Sequence, residues 1–100
     1  MAYTLFVMPQ AWQEMKALPG TMRQRVKREV DQLRENPQPS QSKQLQMAAS
    51  GVVLYRVRLD RWRLVYAVNE TEQQIQVLAV RKRPPYNYDD LDELLEQLDP

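Results

Sequence analysis

Apolar positions along the chain follow two different periods, and the switches between them mark the elements. Tyr3 to Met8 is a short aromatic and aliphatic run that predicts a strand. Pro9 can open a helix, because the first helical position needs no N–H. Ala11, Met15 and Leu18 follow at helical spacing with Trp12 alongside, and Pro19-Gly20 ends that helix. Thr21 is placed to cap a second helix, with Gln24 three residues on as in a capping box. Met22, Val26, Val30 and Leu33 form its apolar face, Arg23, Arg25, Lys27, Arg28 and Arg34 decorate the rest, and Asn36-Pro37 stops it. The short break between the helices predicts an antiparallel helical hairpin. Residues 37–51 are polar and read as a surface loop with little regular structure.

From Val53 the period becomes two. Val53, Tyr55, Val57 and Leu59 share one face, and Arg56 and Arg58 the other. After an Asp60-Arg61 turn, Trp62, Leu64, Tyr66 and Val68 face one way and Arg63, Val65 and Ala67 the other. Pairing Leu59 with Trp62 sets Arg58 opposite Arg63 and Arg56 opposite Val65. Gln74 to Arg83 is a third consecutive strand, giving an antiparallel meander with the first strand available at an edge. Asp89 to Leu98 predicts a short helix with Leu91, Leu94, Leu95 and Leu98 on one side. The order β-α-α-β-β-β-α predicts a single α+β domain over residues 1–100. Its helical hairpin should pack on the face bearing Tyr55, Val57, Leu59, Trp62, Leu64 and Tyr66, leaving the arginine face open.

Composition narrows the chemistry. The chain has no cysteine and no histidine, so disulfides, thiolate chemistry and the commonest general base and metal ligand are absent. No apolar run is long enough to span a membrane, and the N-terminus does not read as a signal peptide, so a soluble cytoplasmic protein is expected. The net charge of +1 hides an asymmetry: residues 89–100 carry six acids and no base, leaving 14 bases against 7 acids before them. A basic body suits a polyanion, RNA first. On the sheet, Arg56, Arg58 and Arg63 converge, and Arg81 and Arg83 can join them. Opposed like charges are costly unless an anion or an acidic partner sits between them, and the guanidinium fork suits phosphate. Tyr86 and Tyr88 follow and could stack on unpaired bases. The plainer alternatives are an amphipathic sheet that happens to use arginine, and tyrosines that pin the chain to the core.

Leu54-Tyr55-Arg56-Val57-Arg58-Leu59, then Trp62-Arg63-Leu64-Val65-Tyr66, then Val80-Arg81-Lys82-Arg83 with tyrosines close behind, resemble the RelE/ParE superfamily of toxins from type II toxin–antitoxin pairs. The element order matches over nearly the whole chain. The RelE branch implies a ribosome-dependent endoribonuclease that cuts mRNA in the decoding site, with no cofactor or metal. Attack of the 2′-hydroxyl on the adjacent phosphate would leave a cyclic phosphate. Carried over by motif, the catalytic positions are Arg56, Arg58, Arg63, Arg83 and either Tyr86 or Tyr88, with Arg61, Arg81 and Lys82 holding RNA beside them. The branch often has lysine where this chain has Arg56 and Arg58. Arginine is a poor general base, which passes proton transfer to Lys82, Tyr86 or Tyr88 or leaves the rate to electrostatics and alignment. The implied partners are a cognate antitoxin, the ribosome and mRNA. The alternatives are a ParE-like DNA gyrase inhibitor without catalysis and a non-catalytic RNA-binding module. The leucine stripe of the tail either packs on this domain or is clamped by an antitoxin.

Overall fold

The computed structural model describes residues 2–48 and 50–96. The order is β1 (Thr4–Val7), α1 (Pro9–Lys16), α2 (Gly20–Leu33), β2 (Ser42–Met47), β3 (Val53–Leu59), β4 (Trp62–Asn69), β5 (Gln74–Lys82) and α3 (Leu91–Glu96). This is an α+β fold with a five-stranded sheet in the order β1-β5-β4-β3-β2.

Pro9 begins α1, and Ala11 and Met15 turn inward. The second helix starts earlier than its capping signature implied. Pro19 is the extended residue before α2, and its carbonyl accepts the first helical bond from the Arg23 N–H at 2.8 Å. Thr21 therefore lies inside the first turn, and no side chain caps the helix. A proline already held at φ −54° and ψ 148° supplies the entry geometry that a capping threonine would otherwise provide.

Two sheet expectations need correction. Part of the segment read as a loop is β2, which pairs antiparallel with β3 around an irregularity between Gln44 and Gln46. Ser42-Lys43-Gln44-Leu45-Gln46-Met47 has no clean alternation, so its pairing comes from backbone groups meeting the free edge of β3. The Tyr66 hydroxyl donates to the Pro37 carbonyl at 2.7 Å and ties the approach to β2 down. The sheet is also mixed, because β1 runs parallel to β5, with Leu5 beside Ile75 and Val7 beside Val77.

The β3–β4 hairpin has the expected register: Leu59 faces Trp62, Arg58 faces Arg63 and Arg56 faces Val65. Asp60 takes φ 56°, a left-handed value that aspartate tolerates, and so closes the tight turn. Between β4 and β5 the register shifts at Val65/Tyr66. The shift sends Leu78 and Ala79 to the same face, returns Val80 to the other, and sets Arg81 opposite Arg63.

The described residues form two cores. Tyr55, Val57, Leu59, Leu64 and Tyr66 pack with Ala11, Met15, Val26, Val30 and Leu33 of the helical hairpin. On the opposite face Leu54, Val65, Ala67, Leu78 and Ala79 are buried under Leu94 of α3, with Leu91 and Leu95 beside it. The face expected to be open is therefore half covered, and its arginines are confined to the hairpin end. The predicted helix over Asp89–Leu98 spans Leu91–Glu96, and Leu98 lies outside the described residues.

Candidate nucleic-acid interface

Strand alternation puts Arg56 and Arg58 on the face of β3 that carries α3, and leaves Arg56 half-buried and Arg58 exposed. β2 adds Lys43 opposite Arg56, a cation the loop reading missed. Arg61 is exposed in the turn, and the Arg83 N–H donates to its carbonyl at 2.7 Å, so the end of β5 is held against the hairpin tip. Lys82 and Arg83 are exposed there as well.

Arg63 was expected on an open surface, but the fold buries it to 9% exposure. Its Nη1 donates to the carbonyls of Asp60 at 3.0 Å and Trp62 at 3.1 Å. With Arg58 on one side and Arg81 on the other, the guanidinium turns back onto carbonyls of its own hairpin. Arg63 thus braces the turn that presents Arg61.

Arg81, expected to hold RNA, is also engaged. Its Nε donates to Glu14 at 2.7 Å, and its Nη1 forms an ion pair with Asp90. Burial works against its charge, but hydrogen bonds and charge from Glu14 and Asp90 prevail and raise its pKa. The other Glu14 oxygen accepts the Val80 N–H at 3.1 Å, at the stretch of β5 beyond its pairing with β1. Glu14 and Asp90 were not singled out in the sequence. For Glu14 a signal existed, since it shares the inward stripe of Ala11, Met15 and Leu18.

The tyrosines are not free stacking platforms. Tyr86 and Tyr88 meet edge to face at 4.8 Å and pack against the second core. Arg81 lies over the Tyr86 ring at 5.2 Å and Arg83 over the Tyr88 ring at 5.3 Å. Both hydroxyls are buried without a hydrogen-bond partner. Burial, and then the Asp90 carboxylate beside it, raise the pKa of Tyr86. A phenol so placed resists losing its proton.

Arg25, Arg58, Arg61 and Lys82 line a cleft of about 830 Å³ at the hairpin end, with Met22, Asp60 and Trp62 completing its walls. Among the described residues, no carboxylate pairs with Arg56, Arg58, Arg61, Lys82 or Arg83. Among the described residues, no group of three or more acidic side chains is disposed to hold a metal ion, and no helix is long and apolar enough to cross a membrane.

A family model described as the ParE toxin of the type II toxin–antitoxin system parDE matches residues 5–84. The chain belongs to this family, within the RelE/ParE toxin superfamily. Among solved structures it is similar to the archaeal RelE–RelB complex from Pyrococcus horikoshii OT3, at 26% identity and TM-score 0.76, covering 86% of this chain and 100% of that one. The isolated E. coli RelE toxin is 24% identical with TM-score 0.68, over 97% and 99% of the two chains. The RelBE2 toxin–antitoxin complex from Mycobacterium tuberculosis is 21% identical with TM-score 0.67, over 83% and 100%. No curated protein matches the chain. Two of these three structures are complexes with antitoxins, and the RelE/ParE fold of this toxin is shared with all three.

Proposed function

We propose that this RelE/ParE toxin is a ribosome-dependent mRNA endonuclease, held in check by a cognate antitoxin. The observation that carries the reading is the set of unneutralised cations at the hairpin end: Arg56, Arg58, Arg61, Lys82 and Arg83, none paired to a carboxylate among the described residues. Like charges gathered on one surface repel, so a phosphate chain that separates them gains from all of them at once. In the reaction the 2′-oxygen attacks the adjacent phosphorus and the 5′-oxygen leaves. The products are a 2′,3′-cyclic phosphate and a 5′-hydroxyl. Arg56, Arg58 and Arg83 stabilise the charge that gathers on the phosphate oxygens. A proton must leave the 2′-oxygen and one must reach the 5′-oxygen. Lys82 is the exposed group of the set able to exchange a proton, because both tyrosine hydroxyls are buried. Arg63 and Arg81 act indirectly in this reading, bracing the turn and the end of β5.

The test is purified toxin on ribosomes programmed with a defined message. Primer extension should map ends inside the codon in the decoding site, and Arg83→Ala should remove them. Intact message with wild-type toxin would sink the nuclease.

A second reading is favoured by the family model that matches, which is the ParE toxin. A gyrase inhibitor would leave message intact and block supercoiling by purified gyrase. The same preparation in that assay separates the two.

A further inference from the structure

We infer that the cleft between α2 and the β3–β4 hairpin is a second phosphate site, which shares Arg58 and Lys82 with the reacting site and uses Arg25 and Arg61 to grip the nucleic-acid backbone next to the bond to be cut. It deepens the RNA reading and rests on it for the source of the phosphates. Four cations from three different places converge there: Arg25 from α2, Arg58 and Arg61 from the hairpin, and Lys82 from β5. One carboxylate, Asp60, faces them, and it binds Arg25 at 2.8 Å. Both members of that ion pair are largely exposed, with side-chain exposures of 46% and 70%, so water weakens the pair and a phosphate can replace the carboxylate. Trp62 forms part of the wall and supplies an apolar face against which a ribose or base can rest.

The turn is built to hold this arrangement. Asp60 at φ 56° projects Arg61, the Arg63 guanidinium ties the carbonyls of Asp60 and Trp62 together, and the Arg83 N–H pins the Arg61 carbonyl. Arg58 lines the cleft and also belongs to the arginine face of β3. A strand of RNA can therefore run from the cleft past Arg58 to Arg56 and Arg83 without leaving basic surface. A phosphate chain is the shared chemistry, and it could belong to RNA or to a free polyphosphate.

Trp62 makes the site its own reporter. In full-length protein carrying Trp12→Phe, Trp62 is the remaining tryptophan. Titration with tripolyphosphate should change its fluorescence. Arg61→Glu or Arg25→Gln should weaken that binding about tenfold, the loss expected for one charge-assisted contact. Arg34→Glu, an exposed position just past α2 and nine residues from Arg25 that does not line the cleft, should change it less than twofold, roughly what a distant screened charge contributes. Each fold is checked by circular dichroism and melting. A silent Trp62, or equal weakening by Arg34→Glu and Arg61→Glu, would overturn the site in favour of general attraction. A single-stranded oligoribonucleotide should displace tripolyphosphate from wild type, and its log Kd against log salt should flatten by about one in Arg61→Glu. Failure to displace would overturn the RNA source. Tripolyphosphate binding by a toxin that leaves ribosomal message intact would support the cleft while removing the nuclease.

Discussion

Arg63 and Arg83 carry the same charge near the same end of the sheet, yet the structure separates what each does. Arg63 is buried and holds two turn carbonyls, so Arg63→Ala should cost roughly 1–3 kcal/mol of stability as well as activity. Arg83 is exposed and rests on Tyr88, so Arg83→Ala should cost at most about 1 kcal/mol while removing toxicity. Urea melts of both variants beside a growth assay test the contrast. Equal stability losses would contradict it. Tyr86 offers a pH test with a definite sign. Its folded pKa lies above the ordinary 10.0, so its contribution is complete below pH 10 and is lost as pH rises through the folded value. Tyr86→Phe should therefore soften the alkaline fall, and at neutral pH it should cost at most about 1 kcal/mol, the loss of the hydroxyl's interaction with the Asp90 carboxylate beside it. An alkaline limb identical to wild type would show that Tyr86 does not contribute to it.

At the scale of elements, α3 is the cover of a core. Leu94 is 1% exposed above Leu54, Val65, Ala67, Leu78 and Ala79, and Asp90 at its approach holds Arg81. Leu94→Ala should lower stability by about 2–5 kcal/mol. Deleting residues 89–100 should lower it further, expose the second core and free Arg81 from one of its two acids. The truncated protein should also bind single-stranded RNA more tightly at low salt and lose that gain at high salt. An unchanged melting temperature together with unchanged RNA affinity would mark the tail as inert. Glu14 does a related job from α1, accepting the Val80 N–H and pairing with Arg81. Glu14→Gln keeps an acceptor for the amide but removes the charge, whereas Glu14→Ala leaves a half-buried N–H unpaired. Melting should therefore rank wild type above Glu14→Gln and Glu14→Ala lowest, the second step being roughly 1–3 kcal/mol.

Across the whole molecule, charge is divided by structure as well as by sequence. Acids from α1 and the segment before α3 neutralise Arg81, and the uncompensated cations gather at the hairpin end. The sequence by itself determined the α+β class, the helical hairpin and the β3–β4 register. These are local: a period of 3.6 or 2 and a tight turn at Asp60-Arg61 decide which residues face which way, with few alternatives in reach. The family resemblance was legible for the same reason, because its basic strands are short contiguous runs. Only the tertiary structure decided the rest. β2 carries no alternation and owes its pairing to backbone groups that meet the edge of β3. The direction of β1 against β5 depends on chain segments seventy positions apart, as Thr4 and Gln74 are. The surroundings of Arg81 likewise turned on a distant partner, as Glu14 reaches it across 67 positions, while Arg58 meets no carboxylate among the described residues. Alternation along a strand fixes the side on which a guanidinium emerges. Whether it then meets water, a carbonyl or an acid depends on what the folded chain brings to that side.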